Sequence, residues 1–347
     1  MRISGDWMTR NMICAPPWLK TALLFGLACT WGMAGEARVF HVGPAEGGAG
    51  INRAIALCGR EGGEVVLGPG TYGCTAPVVI RTSGVTLRGA GPATKIRLLA
   101  KASCPVLIVG DEANAPRREV RRICVADLAI DGNRTQQRGE CWNGKCDTGE
   151  FTAIRSSGLV VRRAKDVLVL RVSADNCRSG GLVTEKHCRR VTVRDFSAGR
   201  NEFDGLACYE TEDSVFTGLY LHDNRSAGIS TDLNFDHNVI SDSRLVKNGT
   251  HGVFMRHSSD NRFQSILVSG SGRDGIFVDQ VDSNARTNSS GNRFTAVQVV
   301  GSKGAALRVN AASCTGTVLD QCLFVGNTQG LQEAVPGLVE QRGLVVR

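Results

Sequence analysis

The chain has 347 residues, 42% of them hydrophobic, with 42 glycines, 9 prolines, few aromatics and a formal net charge of +8. That apolar share supports at least one large core and excludes a disordered chain, and so much glycine points to many tight turns rather than to a helical bundle. The basic residues are dispersed and no nucleic-acid recognition motif occurs, so the positive balance suits an acidic partner other than nucleic acid.

In chain order, residues 1–37 stand apart. Lys20 precedes an apolar run from Ala22 to Cys29, and small residues follow at Ala34 and Ala37. This is the order of a secretory signal cleaved near Ala34 or Ala37, with Met8 and Met12 as alternative starts. The apolar run is short for a membrane span, and a short membrane anchor is the alternative reading. The expectation is therefore a secreted or periplasmic protein with no stable membrane span after signal removal. Removing residues 1–37 takes away three basic and two acidic residues and leaves a charge of about +7. Eleven of the 13 cysteines follow the cleavage site. In an exported chain that number implies disulfides, at least one thiol being left over. Cys141 and Cys146, either side of an Asn143-Gly144 turn, are the most local pair. A zinc site would need a second ligand pair nearby, and none occurs.

Residues 38–75 read as strand, helix, strand and turn. Ile51, Ala54, Ile55 and Cys58 form a helical stripe that fits a cap over the open end of a stack. Residues 76–327 are repetitive. Gly158, Gly181, Gly205, Gly228, Gly252 and Gly275 recur at spacings of 23 or 24 residues. Val167, Val191, Val215, Val239 and Phe263 recur every 24, as do Asn176, Arg200, Asn224, Asn248 and Gly272. A fixed period of this size marks a solenoid, and the short β-patterned runs without a helical repeat make each period one coil of a right-handed parallel β-helix. The fold class is all-β, in a single domain from residue 38, with residues 328–347 as a second cap. Asparagines at the turn markers can form a hydrogen-bonded ladder.

Alternation assigns the faces. With the repeating glycine as position 0, positions 1 and 3 point inward and positions 2 and 4 outward. Cys208, at position 3, is expected to be a buried free thiol. Position 4 reads Arg162, Glu185, Tyr209, Asp232, Arg256, Asp279. A column of acids, bases and a phenol on a flat parallel sheet suits a polysaccharide chain, although alternating charges also stabilise an exposed sheet. Asp232 and Asp279 are two coils apart, about 10 Å, a separation compatible with an inverting hydrolase. Asp204, Ala227, His251 and Asp274, one residue before the glycines, form a second rim. Two long loops break the period, Asp131 to Glu150 and Asp279 to Asn292. Trp142 in the first, with Phe254 and Phe277 at position 2, can stack on sugar rings. An acidic cluster could bind Ca²⁺, but no recognisable ligand spacing occurs, and no cofactor is expected.

The run INRAIALCGREGGEVVLGPGTY resembles the first segment of β-helices of the pectate lyase superfamily. AIDGNRTQQ, then WNG, then GLACYETEDSVFTGLYLHDN, is similar to the catalytic module of the mannuronan C5-epimerases, and FDG followed two coils later by THG resembles polygalacturonases. The resemblance spans about residues 38–325. It implies the β-helix fold and action on a uronan. The Tyr-Gly-x-Asp-Pro-His motif of the epimerases is absent, its place taken by Gly180 to His187. Of the polygalacturonase acid–base set only Asp204 and His251 match, Ala227 standing where a carboxylate is needed.

These observations converge on an exported protein acting on an acidic polysaccharide. Lyase or C5-epimerase chemistry would draw on Tyr209, His251 and Arg162 or Arg256. Inverting hydrolysis would draw on Asp232 with Asp279, Glu210 or Asp204. A non-catalytic polysaccharide-binding or surface β-helix is the third reading.

Overall fold

A computed structural model describes residues 38–138, 141–142, 145–146, 154–282 and 287–347, the pairs 141–142 and 145–146 by backbone alone. The expected signal segment lies outside the described residues.

The repeating glycine has a steric origin. A Cβ built at Gly158, Gly181, Gly205, Gly228 or Gly252 would lie 2.7–2.9 Å from the carbonyl oxygen of the glycine one coil on, and one at Gly275 would lie 2.8 Å from that of Ala306. Side-chain-free backbone at this corner lets successive coils approach to sheet spacing. The strand after each glycine then stacks in register on the next. Ten such strands form one wall: β1 (Val78–Ile80), β2 (Leu107–Val109), β3 (Leu159–Arg162), β4 (Leu182–Glu185), β5 (Leu206–Glu212), β6 (Ile229–Asp236), β7 (Val253–Arg256), β8 (Ile276–Asp279), β9 (Ala305–Val309) and β10 (Gln329–Glu333). All pairings are parallel, and Leu159, Leu182, Leu206, Ile229, Val253 and Ile276 lie side by side up the wall. Two further walls close each coil, with strands such as Val215–Thr217 and Tyr220–His222.

Positions 1 and 3 fill the interior. Leu206, Cys208, Ile229, Thr231, Val253 and Met255 are all buried, and Thr184 shares its hydroxyl with Thr211 at 2.8 Å. Each apolar column continues through the stack, which gives a short coil a core it could not build alone. Cys208 is a buried free thiol, as expected, and burial holds its pKa well above the ordinary thiol value. Cys58, Cys74, Cys104, Cys177, Cys188, Cys314 and Cys322 are also free and serve as small apolar packing residues, whereas Cys124 is disulfide-bonded. Cys141 and Cys146 oppose one another across a short antiparallel pair, Cys141–Trp142 with Lys145–Cys146. Their side chains, and that of Trp142, lie outside the description.

The second glycine-independent marker needs correction. Val167 pairs with Val191, but Val215 pairs with Thr192, and the inward column runs from Val193 to Phe216 and Ile240, while Val215 and Val239 are only half-buried. One 23-residue coil shifts the inward phase by one residue, and in a strand that reverses the face. The asparagine ladder shifts likewise. Asn201, Asn224 and Asn248 form it, each Nδ2 of Asn201 and Asn224 donating to the next Oδ1 at 2.9 and 3.0 Å. Asn176 and Arg200 sit one residue earlier in left-handed backbone, and Ser271 rather than Gly272 continues the buried column. A second ladder, Asn238–Asn261–Asn292, runs along another corner.

The amino-terminal cap is a helix, α1 (Gly47–Cys58), whose buried face is Ile51, Ala54, Ile55 and Cys58 with Gly48 and Gly50. At the other end the tail from Thr328 continues the stack. Gln329–Glu333, Val339–Arg342 and Val345–Val346 are strands that extend the three walls by one more coil.

Candidate functional site

Position 4 of the wall carries the expected column. Arg162 stands beside Glu185, Tyr209 beside Asp232 and Arg256 beside Asp279. The outer face is nevertheless not uniformly open. At position 2, Val79, Ile108, Val160, Val183 and Ala207 form a second apolar cluster outside the solenoid, with Ile154 packed on it and Tyr209 at its edge. Ile154 therefore covers the early coils; Ser230 and Asp232 on β6 are buried as well, and the outward residues of β7 and β8 are half-buried.

Arg162 is consequently not an exposed sugar-binding cation. Its side chain is 1% exposed, ion-paired with Glu185 at 2.6 Å and donating to the Asp111 carbonyl at 3.0 Å. The chain crosses it at Gly110, where a Cβ would meet the Arg162 carbonyl. A buried guanidinium held by a carboxylate and a carbonyl is structural. Glu185 is half-buried, and desolvation raises its pKa against the pull of Arg162.

A cavity of about 240 Å³ borders this apolar cluster. Tyr209, Glu185, Glu210, Arg155, Lys186 and Phe203 line it. Sequence reasoning missed Arg155 and Lys186. The first emerges from an irregular loop, and the second lies at a corner where alternation fails. That corner is a bend in left-handed backbone, seen at Arg163, Lys186, His187, Glu210, Leu233, Asn234 and His257. It breaks the β5–β6 register between Tyr209 and Thr211 and turns Glu210 into the cavity wall. Glu210 accepts the Lys186 backbone N–H at 3.2 Å. The guanidinium of Arg155 lies 5.0 Å over the Phe203 ring.

Burial is the main force holding the Tyr209 phenol above its ordinary pKa, with the charge of Asp204 next and Arg155 opposing. The group is thus a neutral proton donor at physiological pH. Asp204 is buried below it. It accepts the Ala227 N–H at 2.8 Å, and desolvation raises its pKa to about 6. Its folded pKa lies above the unfolded value of about 3.9, so the native state holds the proton more tightly. That stabilising contribution is present below about pH 4 and lost as pH rises through about 6. Asp204→Asn, which keeps the acceptor for Ala227, should therefore raise stability at pH 7.5 by roughly 3 kcal/mol and change it little at about pH 3. Urea titrations at the two pH values measure the difference, and equal shifts at both would contradict it.

Beyond the cavity, Asp232 is buried and ion-paired with Arg256, as its place in the column requires. Asp279 accepts hydrogen bonds from the Gln280 N–H and from Asn310. Arg256 stands between these two carboxylates in the ladder.

His251 belongs to a different group. Asp274, one coil on, lies 3.7 Å from its Nδ1 and is gripped by Arg308 at 3.1 and 3.2 Å. Burial lowers the His251 pKa to about 4, so the imidazole is neutral at pH 7. Phe254 and Phe277 stack beside it, ring centres 5.5 Å apart and 10° from parallel. His251 lies at the opposite end of its strand from the Tyr209 position and two coils away, so the two do not face one reacting carbon. Arg308 was hidden because Ala306 replaces the marker glycine of its coil. Asp236 is half-buried and accepts the Ser259 N–H at 2.7 Å, a turn contact. Among the described residues no group of three His, Cys, Asp or Glu side chains stands together as a metal site, and no helix is long and apolar enough to cross a membrane.

Residues 130–264 match the family model described as the right handed beta helix region. The chain is a right-handed parallel β-helix. No curated protein matches it in sequence. In structure, the β-helix is similar to ORF18 of Geobacillus virus E2, with a TM-score of 0.67 and 15% identity over 88% of this chain and 60% of that one. It therefore spans about 60% of the viral protein's length. It is also similar to the Dettilon tailspike protein, with a TM-score of 0.53 and 13% identity over 85% and 69% of the two chains. A mutant of the periplasmic alginate epimerase AlgG has a TM-score of 0.52 at 12% identity, over 80% of this β-helix and 79% of that chain. Identities this low establish a shared fold, and the chemistry must be argued from the residues.

Proposed function

We propose that this β-helix is exported and acts on an acidic polysaccharide by abstracting a proton next to a uronate carboxylate, the step common to β-elimination and C5 epimerisation. One observation carries the reading: a neutral, half-buried phenol, Tyr209, shares a cavity with two cations and two carboxylates. Arg155 and Lys186 are placed to neutralise the substrate carboxylate, which acidifies the adjacent C–H. Glu210 takes that proton. Tyr209 supplies one, either to the departing glycosidic oxygen or to the opposite face of the carbanion. Asp204 touches no substrate in this scheme; its charge adds to the burial that keeps the phenol protonated. The alginate epimerase named above shares the fold and is consistent with a uronan substrate.

Glycoside hydrolysis is the second reading, favoured by the presence of both Glu185 and Glu210 in the cavity. The products separate the cases. Incubation with a panel of purified uronans should give an unsaturated sugar with new ultraviolet absorbance, or epimerised residues without new chain ends. Reducing ends without that absorbance would establish hydrolysis. Binding with no product of any kind would establish a non-catalytic polysaccharide-binding protein.

A further inference from the structure

The outer face of the wall changes character along the stack. Position 2 is aliphatic through Ala207, then Ser230, then aromatic at Phe254 and Phe277, then Arg308. The two rings are in register, nearly parallel, half-buried and bounded on one side by His251, at 5.6 and 5.0 Å. Arg256 lies 5.1 Å over Phe254, and Arg308 adjoins Phe277 on the next coil. Neither cation has spent its donors. Arg308 gives Nε and one terminal nitrogen to Asp274, while Arg256 gives one terminal nitrogen to Asp232 and keeps its side chain 37% exposed. A guanidinium carries five N–H donors, so both retain some for a further anion.

We infer that Phe254 and Phe277, flanked by Arg256 and Arg308, form a non-reacting subsite for a second acidic sugar of the same polymer chain. The inference rests on the functional reading above and adds to it a substrate length. An aromatic step receives the apolar face of a pyranose, and flanking cations select one bearing a carboxylate over a neutral one. The β7 and β8 coils lie two and three coils beyond Tyr209, roughly 10 and 14 Å along the stack. The subsite is therefore engaged only by chains long enough to reach it from the cavity. Binding energy gained so far from the reacting carbon lowers KM more than it raises kcat.

The test compares Phe254→Ala, Phe277→Ala and the volume-conserving Phe277→Leu with the parent on uronan oligomers of increasing length. Tyr220→Ala, which removes an exposed aromatic on another wall, is the control. The aromatic variants should raise KM roughly five- to tenfold on long oligomers, as loss of one aromatic contact implies. They should leave kcat within about twofold and behave like the parent on the shortest substrate, and Tyr220→Ala should match the parent throughout. Affinity electrophoresis in polyuronate should show the same loss of retardation, with neutral glucan retarding none of the proteins. Turnover by the parent with KM unchanged in all three variants would overturn the subsite and leave the functional reading standing. Absence of both turnover and polyuronate binding in the parent would overturn the functional reading and the subsite with it.

Discussion

Tyr209→Phe is expected to abolish most turnover on an acidic polysaccharide, by about 100-fold or more, while the fold is kept. The substitution removes one oxygen and leaves the ring against Val183 and Ala207. The ring lies outside the solenoid core and only borders the outer apolar cluster, so the change in stability should stay within about 1 kcal/mol. The loss should fall on kcat and not on KM, because a proton donor acts only in the transition state. Steady-state rates and thermal unfolding of parent and variant decide the matter. A variant within a fewfold of the parent would move the chemistry to Glu185 and Glu210 and favour hydrolysis.

The largest loss of stability is expected from Asn224→Ala. Asn224 is buried in the middle of its ladder. Its Nδ2 donates to the Ala198 carbonyl and to Asn248 Oδ1, and its Oδ1 receives both the backbone N–H and Nδ2 of Asn201. Alanine can make none of these bonds and leaves neighbours on two coils unsatisfied in a dry interior. Each such group costs about 1–3 kcal/mol, so a total on the order of 4 kcal/mol is expected. Asn176, in left-handed backbone at the half-buried neighbouring position, provides the comparison. Asn176→Ala should cost only about 1 kcal/mol, because asparagine tolerates left-handed backbone better than alanine does. Denaturant midpoints of the two variants measure the contrast, and similar losses would show that the ladder is not what holds the corner.

What could be read from the sequence followed the rigidity of the repeat. The glycine column fixed the register of β3 to β8 because a Cβ there collides with the next coil, and from that register the outward column from Arg162 to Asp279 followed. Where a coil lost one residue, the phase slipped, and Val215, Val239, Asn176 and Arg200 were each placed one step from the residue that does the packing. The site was less legible for related reasons. Alternation states that Arg162 leaves the core, but not that Gly110 and its neighbours cross over it. It stops at the left-handed corner, so Glu210 and Lys186 had no assigned direction, although both line the cavity. Arg155 returns from a loop with no period, and Arg308 lies in a coil whose glycine has become Ala306. His251 and Tyr209, paired for one reaction on residue type alone, occupy opposite strand ends two coils apart.

The central claim is proton abstraction beside a uronate carboxylate at the Tyr209 cavity. Incubation of parent protein and Tyr209→Phe with polyuronate in heavy water, followed by NMR of the polymer, tests it most directly. The account predicts, with the parent, deuterium at C5 of epimerised residues or a C4–C5 unsaturated sugar at new chain ends, and with Tyr209→Phe neither. New saturated reducing ends without exchange at C5, or equal exchange by both proteins, would contradict it.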